Sequence, residues 1–511
     1  MPLSGRGLSL VPDKVTVELL NHSKFRVHSD KGIAWGLREE FSFFVPGYKW
    51  MPKYRAGIWD GKIRIFDYNH RTMPAGLFKK FQNYCKTYNI EIDHEDVGYG
   101  IAGQKDKVDP KEVMEFITSL KLHSKSKPIK IRDYQFNAVC KAIEDKRVLL
   151  LSPTGSGKSL IIYILMRWFQ SKREDKTLVI VPTTSLVEQM YSDFEDYSSH
   201  DETWNAKDEL HKIYSGQEKT NVHNPIFIST WQSIYKLPRT WFEQFGVVFG
   251  DEAHGFKAQA LTKSMDKAWN AEYRIGTTGT LDGTETNKLV LEGVFGKVVR
   301  VTTTKKLQEK DTLAQLGIKV LDIHYPDDVK ADFGSVTYQQ EIDWLVRNEA
   351  RNKFIRNLAL DCDGNTLVLF QFVEKHGKVL YDMIRDQANH RVFFVAGEVD
   401  KADREAIRHI VETQKKSTIV ASLGTFSTGV NIKELHNLIL PTPSKSNIKV
   451  LQSIGRSLRK SERGIHSTMY DFIDHLNTGK RENYSLQHGK HRLKIYQDEG
   501  FKVTRHKVEL S

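Results

Sequence analysis

Short apolar runs, separated by stretches with helical spacing, set the organisation of this chain. One series lies at 147–151, 177–181, 226–229, 247–249 and 273–277, and a second at 366–370, 392–395, 417–421, 437–440 and 468–472. Most of the runs are apolar on successive residues, as in 147–151 and 247–249, the pattern of strands covered on both faces of a sheet. Each series therefore predicts a parallel sheet with helices on its faces. The first 120 residues read differently. Segments 15–20 and 24–28 alternate as strands, 32–44 is helix-like, 62–67 a strand, 77–88 a helix, 90–93 a strand and 109–120 a further helix. That is an α+β pattern. Residues 121–132 are basic, lack an acid and contain a Ser/Pro break, which predicts a linker. Between the two series, 304–316 is helix-like.

The first run of the first series ends in a glycine-rich turn. Thr154, Gly155, Ser156 and Gly157 precede Lys158 and Ser159, which open an amphipathic stretch. Strand, glycine-rich loop and helix N-terminus together make a phosphate cradle, because glycines let backbone N–H groups turn inward and the helix end adds positive charge. Lys158 would reach the β- and γ-phosphates of ATP, and the Ser159 hydroxyl would ligate Mg²⁺. Ser152 stands where the usual pattern has its first glycine. The apolar run at 247–249 ends in Gly250, Asp251, Glu252, Ala253 and His254. A phosphate cradle needs one carboxylate to hold Mg²⁺ through its water shell and a second to orient and deprotonate the attacking water. Asp251 suits the first role and Glu252 the second. The chain is read as an NTPase.

Composition adds bounds. At 511 residues the chain is too long for one core, and its 39% hydrophobic and 27% charged residues are those of a globular protein. A net charge of +12 favours an anionic partner such as nucleic acid. Cys85, Cys140 and Cys362 are scattered, with no metal spacing and no disulfide framework, which suggests a reducing intracellular setting. No signal-peptide segment and no membrane-length apolar run is seen.

The second series carries Gln452, Gly455, Arg456 and Arg459 where a helix should begin. Arginines three apart share a helix face, and they can meet a γ-phosphate held by the other block as arginine fingers supplied in cis. With these residues in place, the chain resembles the superfamily 2 helicases over residues 130–475. Tyr134 and Gln135 look like the Q motif, whose glutamine reads the adenine edge. Residues 181–189, with Thr183 and Thr184, look like motif Ia, and 229–233, with Thr230 and Trp231, like motif Ib. Both face nucleic acid in that family. Thr278, Gly279 and Thr280 stand at motif III, 370–376 resembles motif IV, and 425–431, opening on Thr425, resembles motif V. Asn431 replaces the usual aspartate there, which puts a ribose contact in doubt. The resemblance implies two tandem RecA-like lobes.

Gly47, Tyr48, Lys49 and Trp50, with 54–64, resemble the N-terminal module of the UvsW-type recombination and repair helicases of T-even-like phages. Segments 395–400, 421–429 and 488–496 resemble that family too. The expected organisation is an N-terminal nucleic-acid-binding module at 1–120, a basic linker at 121–132, lobe 1 with the ATP site at 133–305, an inter-lobe connection at 306–345 and lobe 2 with a basic tail at 346–511. The resemblance implies a phage-encoded protein in the host cytoplasm. It implies ATP-driven 3′-to-5′ action on branched or single-stranded DNA and RNA–DNA hybrids: Holliday junction branch migration, fork regression and R-loop unwinding in recombination, repair and replication.

The cluster at 47–64 also has a direct reading. Tyr48, Trp50, Tyr54 and Trp59 lie among Lys49, Lys53, Arg55, Lys62 and Arg64, with Asp60 the single acid. Aromatics that stack on bases and cations that pair with phosphates are what sequence-independent nucleic-acid binding uses. The alternative is that the aromatics form the core of a small domain. A mixed case is expected, with Trp59 in the core and the cations on the surface. At the level of function an RNA helicase and a restriction-system motor subunit remain open, because such motors grip the phosphate backbone. A non-enzymatic DNA-binding protein would lack Lys158 or Glu252, and both are present.

Overall fold

The computed structural model describes residues 13–45, 47–94, 106–153, 155–214, 216–220, 222–257, 259–279, 285–303, 306–307, 316–331, 333, 336–397, 401–423, 434–442, 467–477, 482–498 and 500–510. The chain forms two compact units, one of Met1–Ser152 with Gly157–Val301 and one of Pro153–Ser156 with Thr302–Ser511. Among the described residues no helix is long and apolar enough to cross a membrane. The three cysteines are free, with Cys85 and Cys362 buried.

The first unit opens with a mixed sheet. Strands β1 (Lys14–Leu19), β2 (Lys24–His28), β5 (Thr72–Pro74) and β6 (Glu91–His94) lie in the order β5-β2-β1-β6. Their alternating inward residues Val15, Val17, Phe25 and Val27 pack with Leu37, Phe78 and Phe81 from two helices. The first helix, Lys31–Glu40, is capped by Asp30, whose carboxylate accepts from the Ile33 N–H at 2.9 Å. The segment 32–44, read as one helix, breaks at Phe41. Ser42 donates to the Glu39 carbonyl at 2.7 Å, and β3 (Ser42–Phe44) pairs antiparallel with β4 (Lys62–Arg64). The helix Pro110–Ser119 does not join this core. Its Val113 and Ile117 are buried in the core of the following lobe. The expected linker is a small hairpin, β7 (His123–Ser124) with β8 (Lys127–Pro128). Ser124 Oγ and the Lys125 N–H both donate to Asp196.

The first lobe is a seven-stranded parallel sheet. It comprises β9 (Arg147–Leu151), β10 (Lys176–Val181), β11 (Leu210–Ile213), β12 (Ile226–Thr230), β13 (Phe245–Gly250), β14 (Tyr273–Thr278) and β15 (Val298–Arg300), in the order β11-β12-β10-β13-β14-β9-β15. Every residue of β12, β13 and β14 is buried, including Arg274 of β14, and β13 reads as an apolar run for that reason. The helix Lys158–Lys172 is buried without interruption from Leu160 to Phe169.

The second lobe repeats this architecture. Strands β16 (Leu316–His324), β17 (Thr366–Phe370), β18 (Arg391–Val395), β19 (Ser417–Ser422), β20 (Asn437–Leu440), β21 (Ser467–His475) and β22 (Lys502–Glu509) take the order β18-β19-β17-β20-β21-β16-β22. Two strands depart from the expected organisation. β16 lies within the stretch read as an inter-lobe connection, yet it runs in register with β21 over its whole length. β22 closes one edge of the sheet against β16. Of the helix-like stretch 304–316, residues 304–305 and 308–315 lie outside the described residues. The buried Glu341 accepts from the Tyr484 and Ser485 N–H groups at 2.9 and 2.7 Å, so a carboxylate caps the tail helix Tyr484–Asp498. Within that helix Arg492 and Tyr496 both donate to Asp471 of β21 at 2.9 Å. The tail segment 488–496 is therefore structural.

The N-terminal module is joined to the first lobe by buried cations. Arg274 of β14 is 2% exposed and donates to Ser23 Oγ at 2.6 Å and to the carbonyls of Ala268, Met265 and Ala271. Burial pulls its guanidinium down to about 10, and Asp266 only partly offsets this. Arg147 donates to the His22 carbonyl, and the His22 N–H donates to the Trp269 carbonyl at 3.0 Å. Gly76 lies against the Glu292 and Gly293 carbonyls so closely that a Cβ there would clash with backbone. Truncating Arg274 strands its buried acceptors. Arg274→Ala is expected to destabilise the protein by about 3 kcal/mol. Chemical denaturation checks this, and a loss below 1 kcal/mol would contradict the role given to Arg274.

Candidate functional site

In a parallel sheet, all loops that follow strands emerge on one edge. Here that edge carries the chemistry. Across the first lobe, from β12 through β10, β13 and β14 to β9, the strand ends present motif Ib, motif Ia, the Asp251–Glu252 pair, motif III and the phosphate loop. Sequence order is scrambled, but spatial order places the nucleotide residues side by side and the two nucleic-acid motifs next to each other.

The loop after β9 is built by conformation. Gly155 and Gly157 have φ of +81° and +84°, and the Ser156 hydroxyl donates to the Pro153 carbonyl at 2.6 Å. Gly157 is the residue before helix Lys158–Lys172, and a Cβ on it would collide with the Gln135 amide. Gln135 is thus packed against the phosphate loop. Its Oε1 accepts from the Arg132 N–H at 3.0 Å and fixes the start of helix Asp133–Asp145. Ser159 Oγ lies 2.9 Å from the Tyr197 hydroxyl. Thr154 lies outside the described residues.

The acidic pair is held by opposite devices. Asp251 is buried, its N–H donates to the Ile180 carbonyl at 2.9 Å, and Thr277 Oγ1 donates to its carboxylate at 2.6 Å. Burial and the neighbouring Glu252 charge raise its proton affinity. Glu252 has φ of +48°, in the left-handed region that a non-glycine residue occupies only at a cost. That turn aims its carboxylate toward Lys158, whose Nζ is 3.5 Å away. Burial alone would raise the Glu252 carboxyl. The Lys158 charge and the His254 hydrogen bond outweigh it and hold the group down at about 2. His254 Nδ1 lies 3.3 Å from Glu252 and 3.0 Å from Thr278 Oγ1, so one imidazole joins the acidic motif to motif III. An ionised carboxylate beside a phosphate loop can accept a proton from water, and Asp251 with Ser159 supplies oxygens suited to a hard divalent cation. The sequence pointed to Lys158, Asp251 and Glu252. It gave no role to His254, Thr277 or Tyr197, whose partners lie on other strands or helices.

The nucleic-acid candidates fare unevenly. Thr183 caps helix Thr184–Tyr197 through the Leu186 N–H, while Thr184 is exposed. Thr230 is buried with its hydroxyl 2.9 Å from Ser233 Oγ, and the Trp231 ring packs edge-on against Tyr235 at 5.8 Å. Gln232 Nε2 reaches the Pro182 carbonyl at 3.3 Å and ties the two motifs together. In the N-terminal module Lys49, Lys53 and Arg55 are exposed. Lys62 instead pairs with Glu39 at 2.6 Å. Trp59 is half-buried and donates to the Lys62 carbonyl at 2.8 Å; it is absent from the module's core. Thr425, Arg456 and Arg459 lie outside the described residues.

Known proteins share this architecture. Residues 14–93 match the family model for the N-terminal part of DNA helicase UvsW, 128–283 that for the res subunit of type III restriction enzymes, and 350–461 the helicase conserved C-terminal domain. The ATP-dependent DNA helicase uvsW of Enterobacteria phage T4 is 34% identical over 97% of this chain and 100% of its own length. The chain belongs to the UvsW family of superfamily 2 helicases. The crystal structure of T4 UvsW superposes with a TM-score of 0.52 at 33% identity, covering 98% of this chain and all of that one. A DNA 3′-5′ translocase of Sulfurisphaera tokodaii is 23% identical over 66% of this chain and 80% of its own. A DNA-bound type ISP restriction-modification enzyme, 15% identical over 75% of this chain and 32% of that one, shares the fold with a TM-score of 0.56.

Gly157→Ala places a Cβ in a left-handed residue against Gln135. It is expected to cost about 1–2 kcal/mol of stability and to weaken binding of an ATP analogue. Denaturation and nucleotide titration measure the two effects, and unaltered nucleotide affinity would argue against the packing described.

Proposed function

We propose that this protein, an ATP-hydrolysing helicase of the UvsW family, moves branch points in DNA. The observation that carries this reading is the shared edge of the first lobe. The nucleotide residues and the Ia and Ib motifs follow neighbouring strands, so a change at the phosphate loop has a short rigid route to the strand-gripping loops. Family membership supplies DNA as the substrate. The exposed cations of a module fixed to the same lobe offer a second grip, suited to another arm of a junction. With both grips, stepping along one strand becomes branch migration, fork regression or displacement of RNA from a hybrid.

In this reading ATP sits on the loop 154–159 with Lys158 on its β- and γ-phosphates, and Gln135 lies at the adenine side. Ser159 and Asp251 would hold Mg²⁺ through their side-chain oxygens, and the ion would supply positive charge beside the phosphates. Glu252 takes the proton from the attacking water, and Arg456 and Arg459 act as arginine fingers. Thr183, Thr184, Trp231 and Thr425 line the path of the tracked strand, the buried Thr230 supports motif Ib from behind, and Lys49, Lys53 and Arg55 meet a second arm. Travel is 3′ to 5′, and action takes place in the cytoplasm of an infected host.

Chemistry and movement can be tested separately. Glu252→Gln is expected to bind ATP and lose turnover by about 10²-fold or more, whereas Lys158→Ala loses binding as well. Arg456→Ala should lower kcat about 10³-fold with ATP affinity retained. Turnover by Glu252→Gln at the wild-type rate would remove its assignment as the base. For movement, the protein and ATP are incubated with a mobile four-way junction and a homologous-arm fork. Migration of both is expected. Failure on both, with unwinding of a 3′-tailed RNA duplex, would move the reading to an RNA helicase.

A further inference from the structure

The excursion between β3 and β4 forms a finger whose aromatic side chains divide into two groups. One group builds the finger. Phe44 stacks on Tyr48 at 4.6 Å between centroids, and Tyr54 meets Tyr48 edge-on at 4.8 Å. Gly61, with φ of +82°, lets the Tyr48 ring lie directly against its backbone, where any Cβ would collide. The Val45 N–H donates to the Gly61 carbonyl at 2.9 Å and closes the base. Phe44 is itself 49% exposed, and a second group of apolar side chains stands outside the stack. Trp50 is 76% exposed and Ile58 78%, and Met51 beside Trp50 is exposed as well. The Arg55 guanidinium lies over the Trp50 ring, 5.3 Å from its centroid, and among the described residues no other aromatic ring stacks on it.

The charges divide in the same way. Lys62 and Arg64 at the base are occupied by Glu39 and Asp60. Lys49, Lys53 and Arg55, on the helical turns that carry Trp50, have no carboxylate partner among the described residues. Segment 42–59 contains no acid. An apolar surface with unpaired cations and no carboxylate repels most protein partners less than it attracts a polyanion, and an exposed indole needs a flat apolar face to cover it. Duplex DNA offers phosphates but keeps its base faces covered. An unpaired strand offers both.

We propose that Trp50, flanked by Lys49, Lys53 and Arg55, is a stacking site for the unpaired bases of a single-stranded DNA arm. This rests on the branch-point reading above and specifies how the N-terminal module meets the junction. Because the finger is closed by its own aromatic stack and its module is fixed to the first lobe, the site stands ready before DNA binds. The indole accepts any base, since every base has a π-face, and the cations hold the phosphates on either side.

The test uses the full-length protein and fluorescence anisotropy, with a fork bearing two unpaired arms and a blunt duplex of equal nucleotide count. Trp50→Ala is expected to weaken fork binding about tenfold and duplex binding far less, and Trp50→Phe to recover most of the loss. The Lys49→Ala, Lys53→Ala double variant should weaken fork binding and reduce the slope of log fork affinity against log salt by about 1.4, the single-strand value for two phosphate contacts. The site is overturned if Trp50→Ala binds the fork as tightly as wild type, or loses fork and duplex in equal proportion. Wild-type protein that grips forks through Trp50 yet moves no junction would overturn branch migration and leave the stacking site standing.

Discussion

Two carboxylates adjacent in sequence and buried side by side cannot both stay charged without a nearby cation. The site is arranged around that constraint. Lys158 provides the cation, at 3.5 Å from Glu252. The residue that would grip a phosphate is also the residue that keeps the neighbouring glutamate ionised. The arrangement costs a positive φ at Glu252, a non-glycine residue, and strain of that kind persists where surrounding structure over-determines it. Here the strand, the Asp251 N–H bond to Ile180 and the His254 bridge to Thr278 fix the turn from three sides. If ATP binds as proposed and brings its negative charge to Lys158, the lysine would be shared between phosphate and carboxylate. The Glu252 proton affinity would then rise toward that of the base proposed above, which would tie hydrolysis to where the phosphate sits.

The second constraint is the cation Arg274. A guanidinium buried at 2% exposure without a carboxylate in contact is expensive unless every donor finds an oxygen, and here four hydrogen bonds reach three carbonyls and Ser23. One of the four crosses to the N-terminal module. Losing that module would uncover a charge the first lobe cannot satisfy alone. The module is therefore part of the first lobe's core chemistry, although its apolar core is separate. A finger mounted on such a base shares the frame of β14, the strand that ends in motif III.

The parallel sheets were legible because burial on both faces writes continuous apolar runs, and the phosphate loop and acidic pair because their chemistry demands fixed residue types at fixed spacing. The misreadings share a cause. Segment 32–44 kept helical apolar spacing through Phe41, and only the hydrogen bond from Ser42 to the Glu39 carbonyl shows where the helix stops. β22 carries five charged or imidazole side chains in eight residues, as an edge strand must to resist pairing with other chains, so it offered no apolar signal. β16 was hidden by a helical pattern that ran into its first residue. The helix Pro110–Ser119 was assigned to the wrong core because sequence shows an apolar face and not what covers it. The same gap left the 47–64 aromatics undecided, since Trp50 and Tyr48 are two residues apart and meet opposite fates.

That division has an energetic logic for a motor. A grip that must be released at every step cannot be deep, and one that works on any sequence cannot read base edges. Stacking on one indole, worth about 1–3 kcal/mol per base, with a few exposed phosphate contacts, satisfies both conditions. It holds an arm against thermal escape for a step and yields when the strand is pulled. A buried, hydrogen-bonded recognition pocket would bind tighter and stall. Stacking Phe44, Tyr48 and Tyr54 on one another and leaving one indole free of that stack makes the finger stiff enough to bear load and keeps the contact shallow enough to let go.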